Sequence, residues 1–349
     1  MVIGMCATTL AAESIPDITG VTQEDYMKAL HDTIKDYIRD CEIDASNLSM
    51  SQPIPINGSN DENNRAVFLF SDMKCIALMM FTYANNEYAS SFSEGDYVEI
   101  TDALSKNQNI ALVSNEECMV VLTDDSCEVV TGSEDFLPEI DLNNARVGYE
   151  KQSFNLTPIV FSDEDMMYDV RSTVDEKILN VTQVKNKTST DTDLGLCWAA
   201  AMVSIIRYRA GKSSLTIDSL YNTLKSKYPP NKYGYPDGAC AWPERCFSLY
   251  NLSHTHSHVG APFFRTRTII QDNRPIYAVF KRTGGSHAVV IAGYRNVGER
   301  YYYKIMDPGN KKTGVSTILS LSLPSPDSTE FTYNSPTGFT YTSWTCHMY

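Results

Sequence analysis

Apolar residues recur at three- and four-residue spacing between Glu24 and Cys41, at Met27, Leu30, Ile34, Tyr37, Ile38 and Cys41, with Asp and Lys on the opposite face. This period predicts an amphipathic helix. The pattern then shortens. Runs at Ala66–Phe70, Cys75–Thr82, Tyr97–Ile100, Ile110–Ser114, Met119–Thr123 and Glu128–Thr131 predict strands, so the first half reads as a helix plus an antiparallel sheet. Further on, Leu194-Gly195-Leu196 leads into Cys197-Trp198-Ala199-Ala200-Ala201-Met202-Val203 and on through Ile205, Ile206 and Tyr208, a pattern that predicts a buried helix beginning at Cys197. The run Gly284-Gly285-Ser286-His287-Ala288-Val289-Val290-Ile291-Ala292-Gly293-Tyr294 predicts a loop feeding a fully buried strand, with His287 at its start. Tyr301-Tyr302-Tyr303-Lys304-Ile305-Met306 predicts the next strand, which delivers Asp307 into the turn Asp307-Pro308-Gly309-Asn310. The fold class expected is α+β.

Chemistry enters with three of these positions. The unpaired N–H groups and positive dipole end of a helix stabilise a thiolate, and a nearby imidazolium lowers a thiol pKa further, so a cysteine at a buried helix start can be a nucleophile. A histidine at the start of a strand can face back across a cleft toward that helix end. Twenty residues on, Asp307 is placed to orient the imidazole and fix its tautomer. Each motif alone also has an ordinary reading, since a buried cysteine is usually a small core residue and a histidine before a strand is usually a turn residue. Their order and joint placement favour a Cys197–His287–Asp307 site.

Together these pieces resemble the papain-like cysteine peptidases, in particular the secreted bacterial branch of staphopain-like and double-glycine-peptidase-like enzymes. The matching parts are the Cys-Trp helix start, the His-Ala-Val-Val-Ile-Ala-Gly-Tyr strand and the apolar strand ending in Asp-Pro-Gly. A fourth part, Ile269-Ile270-Gln271-Asp272-Asn273-Arg274-Pro275-Ile276-Tyr277-Ala278-Val279, is similar to the family's helix end, turn and strand before the histidine loop. The resemblance covers about the last half of the chain. It implies a helix-borne cysteine packed on an antiparallel sheet carrying His and Asp, hydrolysis of peptide or protein substrates, and no cofactor or metal. It also implies a glutamine upstream of the nucleophile that donates to the oxyanion; Gln183 is the candidate, with a longer gap to Cys197 than the family uses, so that the polar residues 185–193 must loop out. The third site member is an Asp where an Asn is usual, and an Asp accepts the imidazole N–H equally. Two other functions stay open on the same residues: acyl transfer to an amine, as in transglutaminase-like relatives, and a non-catalytic surface-binding module on a degenerate peptidase scaffold.

Charge adds a division that the pattern does not show. Residues 1–175 carry a net charge of −23 and residues 176–349 a net charge of +9, within an overall −14. The acidic pI and the scattered bases argue against a nucleic-acid partner. The expected organisation is a signal-peptide remnant at 1–12, an acidic α+β unit at 13–140, an exposed linker at 141–175 around Asp163-Glu164-Asp165, and the peptidase domain at 176–349. The acidic unit contains no phosphate-binding loop or metal-ligand spacing. Preceding a peptidase, it reads as an intramolecular pro-domain of a zymogen, or else as an accessory domain. Residues 2–12 are apolar and small without a basic n-region, and no stretch reaches the length of a transmembrane helix, so a secreted or cell-surface protein is expected. The nine cysteines argue only weakly for disulfides: Cys118 and Cys127 should not bridge, because Cys127 faces Leu122 in the hairpin they flank, and a Cys240–Cys246 pair is open on spacing but is not the favoured reading. His254, His256 and His258 alternate, which reads as one exposed strand face rather than a metal site.

Overall fold

Thr22 starts the first helix, its hydroxyl accepting the Asp25 N–H at 3.1 Å, and α1 (Gln23–Asp40) buries Tyr26, Leu30, Ile34, Tyr37 and Ile38 along one face. The computed structural model describes residues 21–132 apart from 45, 85–86 and 116–117, then 149–161, 174–186, 195–228, 241–309, 318–321, 329 and 331–349. The expected signal remnant, the acidic run at 163–165 and Cys240 lie outside the described residues.

After α1 come strands β1 (Leu48–Ser51), β2 (Ile54–Asn57), β3 (Arg65–Ser71), β4 (Lys74–Ala84) and β5 (Glu87–Glu94). Helix α2 (Val98–Ser105) follows, then β6 (Ala111–Asn115), β7 (Cys118–Leu122), β8 (Cys127–Gly132) and β9 (Leu156–Pro158). The second half continues with β10 (Val174–Ile178), α3 (Cys197–Ala210), α4 (Ile217–Lys227), α5 (Ala241–Leu249), β11 (His256–Ser257) and α6 (Phe263–Gln271). It ends with β12 (Ile276–Arg282), β13 (Gly285–Val297), β14 (Arg300–Met306), β15 (Ile318–Leu321), β16 (Tyr333–Asn334), β17 (Thr340–Tyr341) and β18 (Ser343–Met348). The content is mixed α/β, as the patterning predicts.

Among the described residues sixteen strands form one sheet, in the path β11-β18-β12-β13-β14-β15-β5-β4-β3-β2-β6-β7-β8, with β1, β9 and β10 paired off it, and β16 and β17 pair separately. The two halves are therefore not separate bodies on a tether. They meet where β15 pairs with β5, with Leu319 opposite Phe92 and Leu321 opposite Ser90. Tyr302 of β14 belongs to the same apolar cluster as α1, and the Tyr37 ring stacks on Phe92 at 4.8 Å. Beside this core the opposed charges meet in pairs. Arg300 grips Asp40 with two hydrogen bonds of 2.7 and 2.8 Å, Tyr302 also donates its hydroxyl to Asp40, and Arg295 reaches Glu42 at 3.4 Å. Asp40 is 1% exposed, so its acceptors cannot turn to water instead. Asp40→Ala is expected to cost about 2–3 kcal/mol, chiefly by stranding the buried Tyr302 hydroxyl and both donors of the Arg300 fork. Urea unfolding would show this as a lower midpoint at unchanged slope.

Two expectations need correction, and one open pairing closes. Tyr97–Ile100 is not a strand but the entry to α2: its β-branched look gives way to the helical spacing of Ile100, Ala103 and Leu104, all buried. Residues 149–161, inside the stretch read as a linker, lie on the first half: Gln152 bridges Ile110, Asn155 bonds Gln52, and β9 pairs with β1. Cys246 is a free buried thiol rather than a bridge partner. Cys118 sits opposite Gly132 and Cys127 opposite Leu122, so the two are not bridged to each other.

Candidate active site

The helix that carries Cys197 is buried on every side over its first ten residues, Cys197 to Ile206, which explains its uninterrupted apolar and alanine-rich sequence. It stops where Gly211 takes the left-handed conformation, φ 63°. At the other end Leu196 provides no side-chain cap, so the first-turn N–H groups are not bonded by one. Cys197 stands there with 9% of its surface exposed. Behind it Trp198 stacks on Trp242, ring centroids 6.1 Å apart.

Strand β13 supplies the histidine. Its first half pairs with β12, placing His287 opposite Phe280, and β14 joins its other edge only from Val290, opposite Met306. Continuing that register brings Asp307 opposite Val289, two residues from His287 on the same face, a diagonal contact by which side chains across two chains meet. The contact is made. His287 Nε2 lies 2.7 Å from Asp307 Oδ1, with the two side chains 2% and 0% exposed. The other ring nitrogen, Nδ1, is buried without a conventional hydrogen-bond partner, and the Cys197 thiol is close enough to influence the ring.

Electrostatics favour the charged pair. Burial opposes a charged imidazole, but the Asp307 carboxylate, its hydrogen bond and the Cys197 side chain outweigh that and hold the His287 pKa well above 6.5. Burial likewise pushes the Asp307 carboxyl up, yet the His287 charge and hydrogen bonds from His287, the Tyr333 hydroxyl and the Gly309 N–H bring it below 3.8. The Gly309 bond to Oδ1 is 2.6 Å. Tyr333 in turn is pushed well above the usual phenol range by its burial and the adjoining carboxylate.

Gln183 is buried beside these groups, and it donates one amide hydrogen to the Asp307 backbone carbonyl. Its segment is pinned at Val184, whose N–H bonds the Ser204 hydroxyl at 3.2 Å, and at Asn186, whose N–H bonds the Pro308 carbonyl at 3.0 Å. The polar loop that the long spacing requires falls mostly in 187–194, outside the described residues.

Residues 180–321, which contain all four of these side chains, match the family model described as papain-like cysteine protease AvrRpt2. This stretch is a papain-like cysteine peptidase. No curated protein matches the chain. The peptidase assignment makes the chain a hydrolase acting on protein substrates; the match bears on the papain-like class and not on the staphopain-like branch expected from the sequence. The histidine triplet stands apart from the peptidase site: only His256 lies on a strand, its Nε2 3.4 Å from Cys346 Sγ, while His254 stacks on Phe247. Among the described residues no group of three or more His, Cys, Asp and Glu side chains is arranged to hold a metal ion, and no helix is long and apolar enough to cross a membrane.

Two side chains at the site went unread in the sequence. Tyr333 donates its hydroxyl to Asp307 Oδ2, and the Tyr341 ring lies 5.6 Å from the His287 ring at 25°. A signal was available, because Phe331-Thr332-Tyr333-Asn334 and Phe339-Thr340-Tyr341 flank Ser335-Pro336-Thr337-Gly338, an alternating hairpin around turn residues.

Proposed function

We propose that the protein is a cysteine endopeptidase working through Cys197, His287 and Asp307. The observation that carries this reading is the buried 2.7 Å His287–Asp307 pair, made through Nε2, which leaves Nδ1 for the cysteine at the helix start. In the reacting form His287 already holds the thiol proton at Nδ1, so the sulfur attacks the scissile carbonyl as a thiolate and the imidazolium gives that proton to the leaving amine. Asp307 holds the Nε2 proton and so fixes the tautomer. The oxyanion forms beside the Cys197 N–H, and the second amide hydrogen of Gln183 is the other donor we assign to it. Water then cleaves the thioester and restores the free thiol.

The test is digestion of a mixed peptide library by the purified chain, read by mass spectrometry. New internal termini are expected. Products conjugated to an added amine in place of hydrolysed ones would make the enzyme an acyltransferase instead. A second expectation follows from charge. Activity that needs the imidazole proton is lost as pH rises through the His287 pKa, and that pKa is raised, so the alkaline limb of kcat/KM should fall above 6.5, the ordinary imidazole value. An alkaline limb at or below 6.5 would remove the His287–Asp307 pair from the reacting form.

The intact chain is taken as the working enzyme. A departing pro-domain would have to unpair β5 from β15 and break the Arg300–Asp40 fork, which weighs against the zymogen expected from the charge contrast. Export to the cell exterior is proposed on the sequence of residues 2–12, and fractionation of producing cells reads it.

A further inference from the structure

The hairpin β16–β17 has its base in the peptidase site and its tip in the first half of the chain. At the base Tyr333 pairs with Tyr341, the two residues that touch Asp307 and His287. The tip turns at Gly338, φ 89°, where a Cβ would come within 2.9 Å of Ile56 Cγ2. Around it the first half bonds one backbone carbonyl after another. Ser91 Oγ donates to Asn334 O at 2.6 Å, Thr131 Oγ1 to Pro336 O at 2.8 Å, and Ser114 Oγ to Thr337 O. Ser59 Oγ and Asn64 Nδ2 donate to Gly338 O at 2.6 and 2.7 Å. Asn60 clasps Thr340 from both sides, Nδ2 to its carbonyl at 2.8 Å and Oδ1 from its N–H at 2.9 Å.

Strands of two residues each are too short to hold a hairpin in place by themselves. The peptidase half holds one side of it, through the buried Tyr333, Phe339 and Tyr341 and the Thr342 N–H bond to the Lys281 carbonyl, and these six side chains fix the other side. Each of them reaches the hairpin's backbone, where a hydrogen bond reads position rather than side-chain identity, and Asn64 Oδ1 also accepts from the Thr340 hydroxyl at 2.7 Å. Both tyrosines also lie beyond the matched residues, which end at 321.

We propose that the first half of the chain is a built-in positioning element of the peptidase, which through the 333–341 hairpin seats Tyr333 on Asp307 and Tyr341 on His287. This rests on the roles proposed above for His287 and Asp307. The Tyr333 hydroxyl occupies Oδ2 and so fixes the carboxylate plane, leaving Oδ1 aimed at the imidazole. The Tyr341 ring covers one face of that imidazole and keeps water from the His287–Asp307 hydrogen bond, which is stronger for being dry. Tyr333 and Tyr341 are positioning residues, and Asn60 and Asn64 position them.

The test uses the full chain carrying Asn60→Ala with Asn64→Ala, Tyr333→Phe, and all three together. A thiol-directed, substrate-mimicking probe counts active sites, so that misfolded protein does not enter kcat. The asparagine pair and Tyr333→Phe should each lower kcat per site about tenfold with KM within about twofold, and the triple variant should fall no more than about twofold below the worse of them, because one path is cut twice. The His287 imidazole is followed by NMR as well, assigned by its loss in His287→Gln. The groups facing it are Asp307, Cys197 and the Tyr341 ring, with Tyr333 acting through Asp307. Loosening the hairpin admits water between the charges, so its titration should move down toward the ordinary imidazole value in the asparagine variant. This readout needs no turnover, and it separates a failure of the peptidase reading from a failure of the positioning one. Wild-type kcat per site together with a wild-type His287 titration would overturn the proposal, and so would losses that multiply to about a hundredfold, since the asparagines would then act by another route. Where Asn64→Ala fails to fold, Asn60→Ala alone, at an exposed position, should show the same direction in both readouts, and no change there counts against the proposal equally.

Discussion

Cys197→Ala should leave no measurable peptide hydrolysis, a loss on the order of 10⁴ or more in kcat/KM, while the protein folds with little change in stability. The two halves of that expectation have different origins. Loss of activity follows from removing the only atom that bonds to the substrate carbonyl in the proposed mechanism; binding and any oxyanion donors that remain supply only a residual rate. Survival of the fold follows from the position: a small residue replaces a small residue at the first turn of α3, alanine is the better helix former, and the thiol is 9% exposed rather than enclosed. Circular dichroism and the urea midpoint check the second half. Insoluble protein, or a midpoint lowered as far as a core truncation would lower it, would mean that Cys197 is there for packing.

Asp307→Ala is the next largest expected effect, roughly 10²–10³ in kcat, by loss of the group that holds the imidazole tautomer. Here structure and chemistry fail together. Three donors, His287 Nε2–H, the Tyr333 hydroxyl and the Gly309 N–H, lose their acceptor at a position with 0% exposure, so a lower unfolding midpoint should accompany the lost rate. Asp307→Asn should be much milder, about tenfold, because an amide oxygen still accepts from His287 and Gly309 while the amide N–H₂ can donate to the Tyr333 oxygen. It removes the negative charge that holds the His287 proton, so the alkaline limb of kcat/KM should move down toward the ordinary imidazole value. Rate profiles across pH for the three proteins decide the matter. Equal rates in Asp307→Ala, Asp307→Asn and the unaltered chain would take Asp307 out of the site.

Much of the peptidase half could be read because its elements announce themselves locally. The alanine-rich run after Cys197 and the apolar run after His287 are buried from end to end, and a fully buried element leaves a continuous apolar signature. Asp307 was legible because a turn of Asp-Pro-Gly must follow the strand. The join between the halves was not. Strand β5 reads Glu-Tyr-Ala-Ser-Ser-Phe-Ser-Glu, with serines where a central strand usually shows aliphatic residues. Those serines are spent on specific partners, Ser90 with the Tyr37 hydroxyl at 3.1 Å and Ser91 with the Asn334 carbonyl, and a polar residue chosen for one distant partner has no periodic signature. The charge contrast pointed to attraction between the halves, which Arg300–Asp40 and Arg295–Glu42 realise, but charge does not say whether an attracted unit covers a cleft or braces the back of a site. The contacts of Tyr333 and Tyr341 depend on a fold-level juxtaposition across 26 residues or more of chain, and nothing in their neighbourhood encodes it.

The most direct measurement is to expose the folded full chain to a peptide-based, thiol-directed inhibitor at low molar excess and to map the adduct by peptide mass spectrometry across its nine cysteines. A single adduct on Cys197 is expected, abolished by His287→Ala, because among the described residues that thiol alone stands next to an imidazole held by a buried carboxylate. Labelling spread over the other cysteines, or labelling of Cys197 that is indifferent to His287, would contradict a peptidase site built on these residues.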